Sequence, residues 1–269
     1  MKIFHEAPNA IFNLVQQLTD GDYCLVHLMD ENEIYRNHFI KASMKPFKRE
    51  IILDNSIFEL GEAYDEGKYA YWMQYLQPTY TIIPDVLNSR EGTLERLEKW
   101  FEKFPTTHNF TKPIAVVQGD TEEEAVKCYL DLQNDPRVEK IGISFDSSSH
   151  IKDKTFTKQE KMFEHMRGRI TFLDRVSNRG RIIHRKPLHL LGCSLPQEMK
   201  YYQSYAEGII DSVDTSSPVV HGFFGIKFTD FGLDDKHPQK LFELINEDVT
   251  LDQRLQIAYN IVKFRELAE

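Results

Sequence analysis

Short apolar runs alternate with amphipathic segments along most of the chain. Seven of these runs have the length and β-branched content of strands, and a weaker eighth candidate follows them. Runs that are apolar on both faces are typical of a parallel sheet covered by helices. The candidates are Tyr23–Met29, Glu50–Leu53, Tyr80–Pro84, Pro113–Val117, Lys140–Ser144, Leu188–Leu191, Gly208–Val213 and, as the weaker eighth, Gly225–Phe228.

The connecting segments contain helix signals. Asn88 and Glu91 have the spacing of a capping box, and Thr121 precedes three glutamates in the same way. Pro196 stands where the first turn of another helix is expected. The C-terminal tail, residues 237–269, predicts two further helices.

About eight strand–helix units in a chain of this length favour a TIM (β/α)8 barrel, an α/β fold, with a doubly wound open sheet as the alternative. Residues 146–187 are too polar and too numerous for a simple connection, so we expect an insertion there, at the barrel mouth. No proline-rich or low-complexity linker interrupts the chain. The sequence therefore predicts a single domain over residues 1–269, ending in C-terminal helices.

Composition narrows the class of protein. The formal net charge of −9 argues against indiscriminate coating of nucleic acid. No apolar run approaches the roughly 20 residues of a membrane span, and the N-terminus lacks the layout of a signal peptide. We therefore expect a cytoplasmic protein with no membrane partner. Cys24, Cys128 and Cys193 lie far apart, which argues against a disulfide framework and a cysteine-rich zinc site.

One segment contrasts with the acidic average. Between positions 167 and 186 the only acid is Asp174, and His184 adds to the basic side chains. Two interpretations stay open: a solvated loop balanced by acids elsewhere, or a local surface that binds the phosphates of a nucleic acid. The basic residues of this run are Arg167, Arg169, Arg175, Arg179, Arg181, Arg185 and Lys186.

Polar residues follow most of the predicted strands. In a parallel barrel the catalytic groups project from the C-terminal ends of the strands, so these residues would meet at one rim. Any single one of them is also accounted for by turn or capping chemistry. The residues in question are Asp54, Asn55 and Ser56, then Asp85, then Gln118, Gly119 and Asp120, then Gly142 and Ser144, then Gly192 and Cys193, and finally Asp211 and Asp214.

Separated acids at one rim suit displacement at a sugar carbon. One carboxylate attacks or steadies an oxocarbenium-like centre while the other moves protons. Side-chain amides and carboxylates can also read the edge of a flat heterocycle, because an amide donates and accepts while a carboxylate accepts two N–H bonds. Phe58 would stack on such a ring or, alternatively, serve as an ordinary core aromatic.

The order and spacing of these segments resemble the tRNA-guanine transglycosylase superfamily over residues 50 to about 222. Members of that family are barrel enzymes that exchange guanine for a 7-deazaguanine. The matching segments are Leu53–Phe58 for the family's D-S-G-x-F, Val116–Gly119 for V-Q-G, Ile141–Ser144 for G-G-L-A, His189–Gly192 with Pro196 for L-M-G-x-G-x-P, and Asp211–Pro218 for D-x-F-D-x-V-x-P.

The resemblance implies roles for individual residues. Asp214 matches the family's nucleophile and Asp54 its general acid/base. The substrate-binding residues that it implies are Asp85 and Gln118 for the edge of the base, Gly119 and Ser144 beside them, Gly142 for close backbone approach and Phe58 for stacking.

Departures from the family pattern change what is expected. The cysteines of the family's zinc subdomain are missing, so we expect no metal and no other cofactor. The arginine that follows the proline of the nucleophile segment is replaced by Val219–His221, and the family's glycine pair by Ser56 and Ile57. Without a zinc module the chain is similar to the phage and genomic-island relatives that place 7-deazaguanines in DNA.

The resemblance therefore implies base exchange in nucleic acid, with DNA favoured over tRNA and with preQ0 or preQ1 as the incoming base. Since family members often pair, a homodimer is a further expectation, and a phage-encoded protein would work in the cytoplasm of its host. Two alternatives remain open. One is a barrel nucleosidase or glycosidase that acts on small molecules, and the other is a non-catalytic nucleic-acid-binding relative.

Overall fold

The chain forms a closed barrel of parallel strands surrounded by helices, as a computed structural model shows. The structure describes residues 1–44, 48–62, 64–147, 149, 157–177, 186–205 and 209–269. Each strand pairs in parallel with the next, and β1 returns to β8 through the pair Ile3 and Val213. The expected TIM barrel is therefore confirmed.

The strands are short and nearly all of their residues are buried, as expected for a parallel sheet covered by helices. Their bounds are β1 Lys2–His5, β2 Gly21–Leu25, β3 Glu50–Asp54, β4 Tyr80–Ile82, β5 Lys112–Val116, β6 Lys140–Ser144, β7 Leu188–Leu191 and β8 Ile210–Asp214.

The first strand of the barrel was missed by the hydrophobic pattern, and the predicted eighth strand was wrong. Lys2–His5 is only four residues long and polar at both ends, so its sequence resembles a solvated N-terminus. Residues 225–228 follow a helix instead, with Gly225 at a φ of +71°. The predicted strand Tyr23–Met29 also ends early, because a helix begins at Val26.

Helices fill the connections between the strands. Their bounds are α1 Phe12–Leu18, α2 Val26–Glu31, α3 Glu33–Ser43, α4 Ile57–Leu60, α5 Glu66–Leu76, α6 Arg90–Lys103, α7 Glu122–Asn134, α8 Lys158–Ser177, α9 Met199–Tyr202, α10 Ser217–Phe223 and α11 Leu251–Ala268. Short 3₁₀ turns occupy Asn9–Ile11, Thr107–Asn109, Pro196–Glu198 and Leu241–Leu244. No described helix is long and apolar enough to cross a membrane.

The predicted helix starts are largely confirmed. The Thr121 hydroxyl accepts a hydrogen bond from the Glu124 backbone N–H and caps α7. The cap of α6 lies one residue later than predicted, at Ser89, because Asn88 has a φ of +61° and stays outside the helix. The tail contains the 3₁₀ turn Leu241–Leu244 and then α11, in place of two α-helices.

The stretch 146–187 is not only an insertion, because α8 within it is the helix that joins β6 to β7. Phe172, Leu173 and Val176 of α8 are buried in the core. The frequent cationic side chains of this segment hid its apolar face from the sequence analysis. The rest of the stretch includes residues 150–156 and 178–185, which lie outside the described residues.

Candidate active site

A cleft of about 270 Å³ opens at the C-terminal ends of the strands. Its position agrees with the place where barrel enzymes put their functional groups. One wall is formed by residues 236–242, which follow α10 and fold over the mouth. Lys236 and Lys240 face the cleft from this wall. The carboxylates that line the cleft belong to Glu6, Asp54, Glu59, Asp85, Asp146 and Asp214.

Asp214 is the last residue of β8 and its carboxylate is held from one side. The Oδ1 atom lies 3.1 Å from His189 Nε2 and accepts a hydrogen bond of 3.2 Å from the Gly192 backbone N–H. Gly192 follows β7, the neighbouring strand, so the barrel itself fixes this contact. Both partners use Oδ1, which leaves Oδ2 for a ligand in the cleft.

Asp54, at the end of β3, is set up to hold a proton. It is buried, and its Oδ2 atom accepts one hydrogen bond of 2.9 Å from the Ser56 backbone N–H. Burial raises the pKa of the Asp54 carboxyl well above its usual range, and the negative charges of Glu59 and Asp214 raise it further. A carboxyl group with a raised pKa can act as a general acid near neutral pH.

Asp85, after β4, is the centre of a rigid polar array. Asn55 Nδ2 donates to Asp85 Oδ1 over 2.9 Å, and Gln118 Nε2 donates to Asp85 Oδ2 over 2.6 Å. The Gln118 amide is fixed in turn, because its Oε1 atom accepts from the Asn88 backbone N–H. Burial raises the pKa of Asp85, while the two amide donors oppose the shift. The array offers carboxylate and amide atoms in fixed orientation to one edge of a planar ligand.

Phe58 lies in α4 at the cleft and is 47 % exposed, which excludes the alternative of a core aromatic. The Lys240 ammonium is 5.1 Å from the centre of its ring, on the wall formed by residues 236–242. An exposed ring beside a cleft is available for stacking on a flat ligand.

Of the other predicted substrate-binding residues, Ser144 lines the cleft and the two glycines do not. Ser144 lines the cleft, and its hydroxyl is 3.3 Å from Asp146 Oδ1. Gly119 and Gly142 are not among the lining residues. A side chain at Gly119 would meet the Ala125 backbone nitrogen at 2.6 Å, so this glycine is needed for packing against α7. At Gly142 a Cβ atom would come within 3.0 Å of Leu191.

Sequence reasoning missed three groups of the site. Glu6 was missed because it follows the unrecognised strand β1, and its pKa is raised well above the usual range by burial and by the charge of Glu59. Burial raises the pKa of Glu59 to about 7, and its Oε2 atom is buried with no hydrogen-bond partner. His189 was identified only as part of a strand and of the segment His189–Gly192, with no role of its own. The sequence contained a signal for the two glutamates, because Glu6 is a polar residue directly after β1 and Glu59 is a polar residue within α4.

Among the described residues of the basic run, several bond groups of the protein itself, which weakens the interpretation of the run as a local phosphate-binding surface. Arg169 is fully buried and bonds Glu198 through two nitrogens, at 2.7 and 2.8 Å, so it cannot contact a nucleic acid. Arg175 pairs with Glu122, and Lys186 donates to backbone carbonyls at the end of α7. Arg167 is exposed and pairs with Glu164. Arg179, Arg181 and Arg185 lie outside the described residues.

No protein-family model matches this chain, and no curated protein matches it. Within the part of the chain that the structure describes, no group of three or more His, Cys, Asp or Glu side chains could hold a metal ion. The functional groups of the cleft are therefore its carboxylates, side-chain amides, hydroxyls and lysine ammonium groups, together with the imidazole behind Asp214.

Proposed function

We propose that this protein is a base-exchange transglycosylase that replaces guanine in nucleic acid by a 7-deazaguanine such as preQ0 or preQ1. One observation supports this best. A single cleft contains a carboxylate with one oxygen left for attack, Asp214, and a carboxyl whose pKa is raised, Asp54. This combination suits nucleophilic attack at a sugar carbon with protonation of the departing base.

In the first half-reaction Asp214 Oδ2 attacks C1′ of the target nucleoside, which is held out of the helix. The bond between C1′ and the base nitrogen breaks, and its electron pair leaves with the base. Asp54 supplies a proton to the departing guanine, so that a neutral base and a glycosyl ester of Asp214 result.

Recognition of the base is assigned to the array around Asp85. The N–H groups on the edge of guanine would donate to Asp85, and the Gln118 amide would bond the adjacent oxygen or nitrogen. Phe58 would stack on the face of the base, which offsets part of the few kcal/mol that extrusion from a duplex costs.

The second half-reaction reverses the first. A 7-deazaguanine enters the vacated cleft and loses its ring N–H proton to the Asp54 carboxylate. The nitrogen then attacks C1′, the ester bond breaks, and the electron pair returns to Asp214. No electron is gained or lost overall, so the exchange requires no redox cofactor and no ATP.

The decisive experiment measures incorporation of radiolabelled guanine into duplex DNA and into tRNA side by side. We expect exchange into DNA, and we expect Asp214→Asn and Asp214→Ala to lower it by at least about 10³-fold, because a covalent nucleophile is removed. Asp248→Asn, at an exposed carboxylate with no role in the cleft, is the matched control. Full activity of Asp214→Asn would refute the mechanism, and exchange into tRNA alone would reverse the preference for DNA.

A small-molecule nucleosidase is the second candidate. It is favoured because basic side chains of the predicted phosphate-binding run bond groups of the protein itself. Because Arg169, Arg175 and Lys186 bond groups of the protein itself, the surface proposed for phosphates has lost part of its support. A nucleosidase would release guanine from free guanosine or deoxyguanosine, with water in place of the incoming base. Release without incorporation into either polymer would establish this alternative. Binding of DNA that persists with no exchange or release would instead indicate a non-catalytic relative.

A further inference from the structure

A column of buried polar side chains extends from Asp214 down the inside of the barrel. Below the Asp214 carboxylate lies His189 on β7, whose Nδ1 atom is 2.9 Å from Ser212 Oγ on β8. Ser212 Oγ is in turn 3.2 Å from Lys140 Nζ at the start of β6. The column ends at Asp211, 2.5 Å from the same Lys140 nitrogen. The side chains of His189, Ser212 and Lys140 are fully buried.

The chemistry of its two ends gives this column a direction. Lys140 beside Asp211 is an ammonium group, and an ammonium group has hydrogens to donate and no lone pair to accept. Lys140 therefore donates to Ser212 Oγ. The Ser212 hydroxyl is then free to donate its own hydrogen to His189 Nδ1.

The contacts of the His189 ring also determine whether its other nitrogen, Nε2, carries a hydrogen. Burial lowers the pKa of His189, so the imidazole is neutral and carries one N–H. The Asp214 carboxylate can only accept, so that N–H is on Nε2 and points at Asp214 Oδ1, and Nδ1 accepts the Ser212 hydrogen. The ring cannot easily turn away, because Tyr23 stacks on it with centroids 6.3 Å apart and Phe4 meets it edge-on.

We propose that Lys140 and Ser212 are positioning residues, which hold His189 in its Nε2–H tautomer and thereby fix the Asp214 carboxylate with Oδ2 toward the substrate. The opposite tautomer would bring a nitrogen lone pair against Oδ1 and push the carboxylate out of place. The tautomer is argued from the hydrogen bonds and the burial of His189, whereas its effect on turnover rests on the function proposed above.

This arrangement has a chemical use in both half-reactions. The His189 and Gly192 N–H groups both bond Oδ1, so attack proceeds from Oδ2 without competition. When the ester later breaks, negative charge returns to the Asp214 carboxylate. The same two donors are already in place to stabilise it, as preorganised dipoles do in other displacement reactions.

The tautomer is tested directly by long-range ¹H–¹⁵N correlation spectra of the full-length chain labelled at histidine. His189→Gln identifies the His189 signals by their disappearance. In the wild-type protein we expect a protonated Nε2 and an unprotonated Nδ1. Ser212→Ala should shift the ring toward the Nδ1–H form or a mixture, and Ser212→Thr, which keeps a hydroxyl, should retain the wild-type pattern.

Lys140→Met provides a second route to the same result. It removes the donor at the foot of the column, and the Asp211 side chain that it leaves is 31 % exposed and can be hydrated. A wild-type tautomer in both Ser212→Ala and Lys140→Met, with folding verified by thermal melting, would overturn the proposal.

Kinetics separate positioning from a merely structural role. We expect Ser212→Ala to lower kcat of guanine exchange about 10-fold or more with KM little changed, since an effect confined to the transition state appears in kcat. His189→Gln, which places an amide N–H at the same number of bonds as Nε2, should retain more activity than His189→Leu. Equal loss in both would overturn the role of the N–H.

The two proposals fail in different measurements. Suppose that the wild-type protein exchanges no guanine while Ser212→Ala shifts the His189 tautomer as expected. The proposed function is then wrong, and the positioning role of Ser212 and Lys140 is retained. Suppose instead that the protein exchanges guanine while neither Ser212→Ala nor Lys140→Met changes the His189 tautomer. The proposed function is then retained, and the positioning role of Ser212 and Lys140 is refuted.

Discussion

Among single residues, the acids of the cleft show how burial controls protonation. Glu59 lines the cleft with its Oε2 atom buried, and the charges of Asp214 and Lys240 act on it. Desolvation penalises its charged form, so burial raises its pKa to about 7, and the nearby charge of Asp214 acts in the same direction. The folded protein therefore holds a proton on Glu59 at a pH where the unfolded chain has already released it.

Replacement of Glu59 by Gln should change how stability depends on pH. Because the folded-state pKa of about 7 exceeds the ordinary value of 4.5, the folded state binds more protons in this interval, and stability falls as pH rises from 4.5 to 7. Glu59→Gln should remove this loss, so the variant gains up to about 3 kcal/mol over the wild type at pH 8 and nothing at pH 4. Urea unfolding at both pH values measures the difference.

Glu62→Gln is the matched control for this prediction, since Glu62 is exposed three residues further on. It should follow the wild-type pH dependence throughout. A Glu59→Gln variant that is less stable than the wild type at pH 8 would show that the Glu59 carboxylate is favourably bonded in the folded state.

Among the elements, the helix α8 is held against the barrel by one buried ion pair, Arg169 with Glu198. Arg169 donates to both carboxylate oxygens of Glu198 and to the carbonyl oxygens of Ile143 and Leu191. The Tyr202 hydroxyl also donates to Glu198. These bonds join α8 to the ends of β6 and β7 directly behind the cleft.

Arg169→Met should destabilise the protein by about 3–5 kcal/mol, because it leaves the Glu198 charge buried without a partner. The double variant Arg169→Met/Glu198→Leu removes both charges and should recover at least half of the loss. Urea unfolding of both variants tests this. Wild-type stability of Arg169→Met, or a double variant less stable than the single one, would contradict the structural role of this arginine.

At the scale of the whole molecule, charge limits how the protein meets a nucleic acid. A net charge of −9 repels phosphates over most of the surface, so binding would depend on a few local cations. Arg179 and Arg181 belong to the predicted phosphate-binding run and lie outside the described residues.

Charge reversal in Arg179→Glu/Arg181→Glu should weaken binding of duplex DNA and lower the slope of log affinity against log salt by about 2, one for each phosphate contact. Fluorescence anisotropy at several salt concentrations measures both. Lys99→Glu/Lys127→Glu makes the same change in net charge on exposed faces of α6 and α7 and should have a smaller effect. Equal effects of the two pairs would remove the basic run from the function.

The strands β2 to β8 could be located from the sequence, although β2 ends earlier than predicted, because strands buried on both faces are continuous apolar runs. The strand β1 could not, since Lys2 and His5 give its four residues a polar appearance. Asp54, Asp85, Gln118 and Asp214 were identified because strand ends of a barrel meet at one rim. Glu59 and His189 were not, because their roles depend on neighbours far away in sequence.

Local apolar patterning and short-range spacing were enough to predict the barrel, the rim on which the polar residues gather and the main acids of the cleft. The three-dimensional arrangement was needed to show which arginines are buried, which acids have raised pKa values and which oxygen of Asp214 is left for a ligand. Burial, hydrogen-bond direction and desolvation arise when residues such as Lys140, His189 and Asp214 are brought together from three strands. No local pattern encodes such contacts, since their energies depend on what surrounds each group in space.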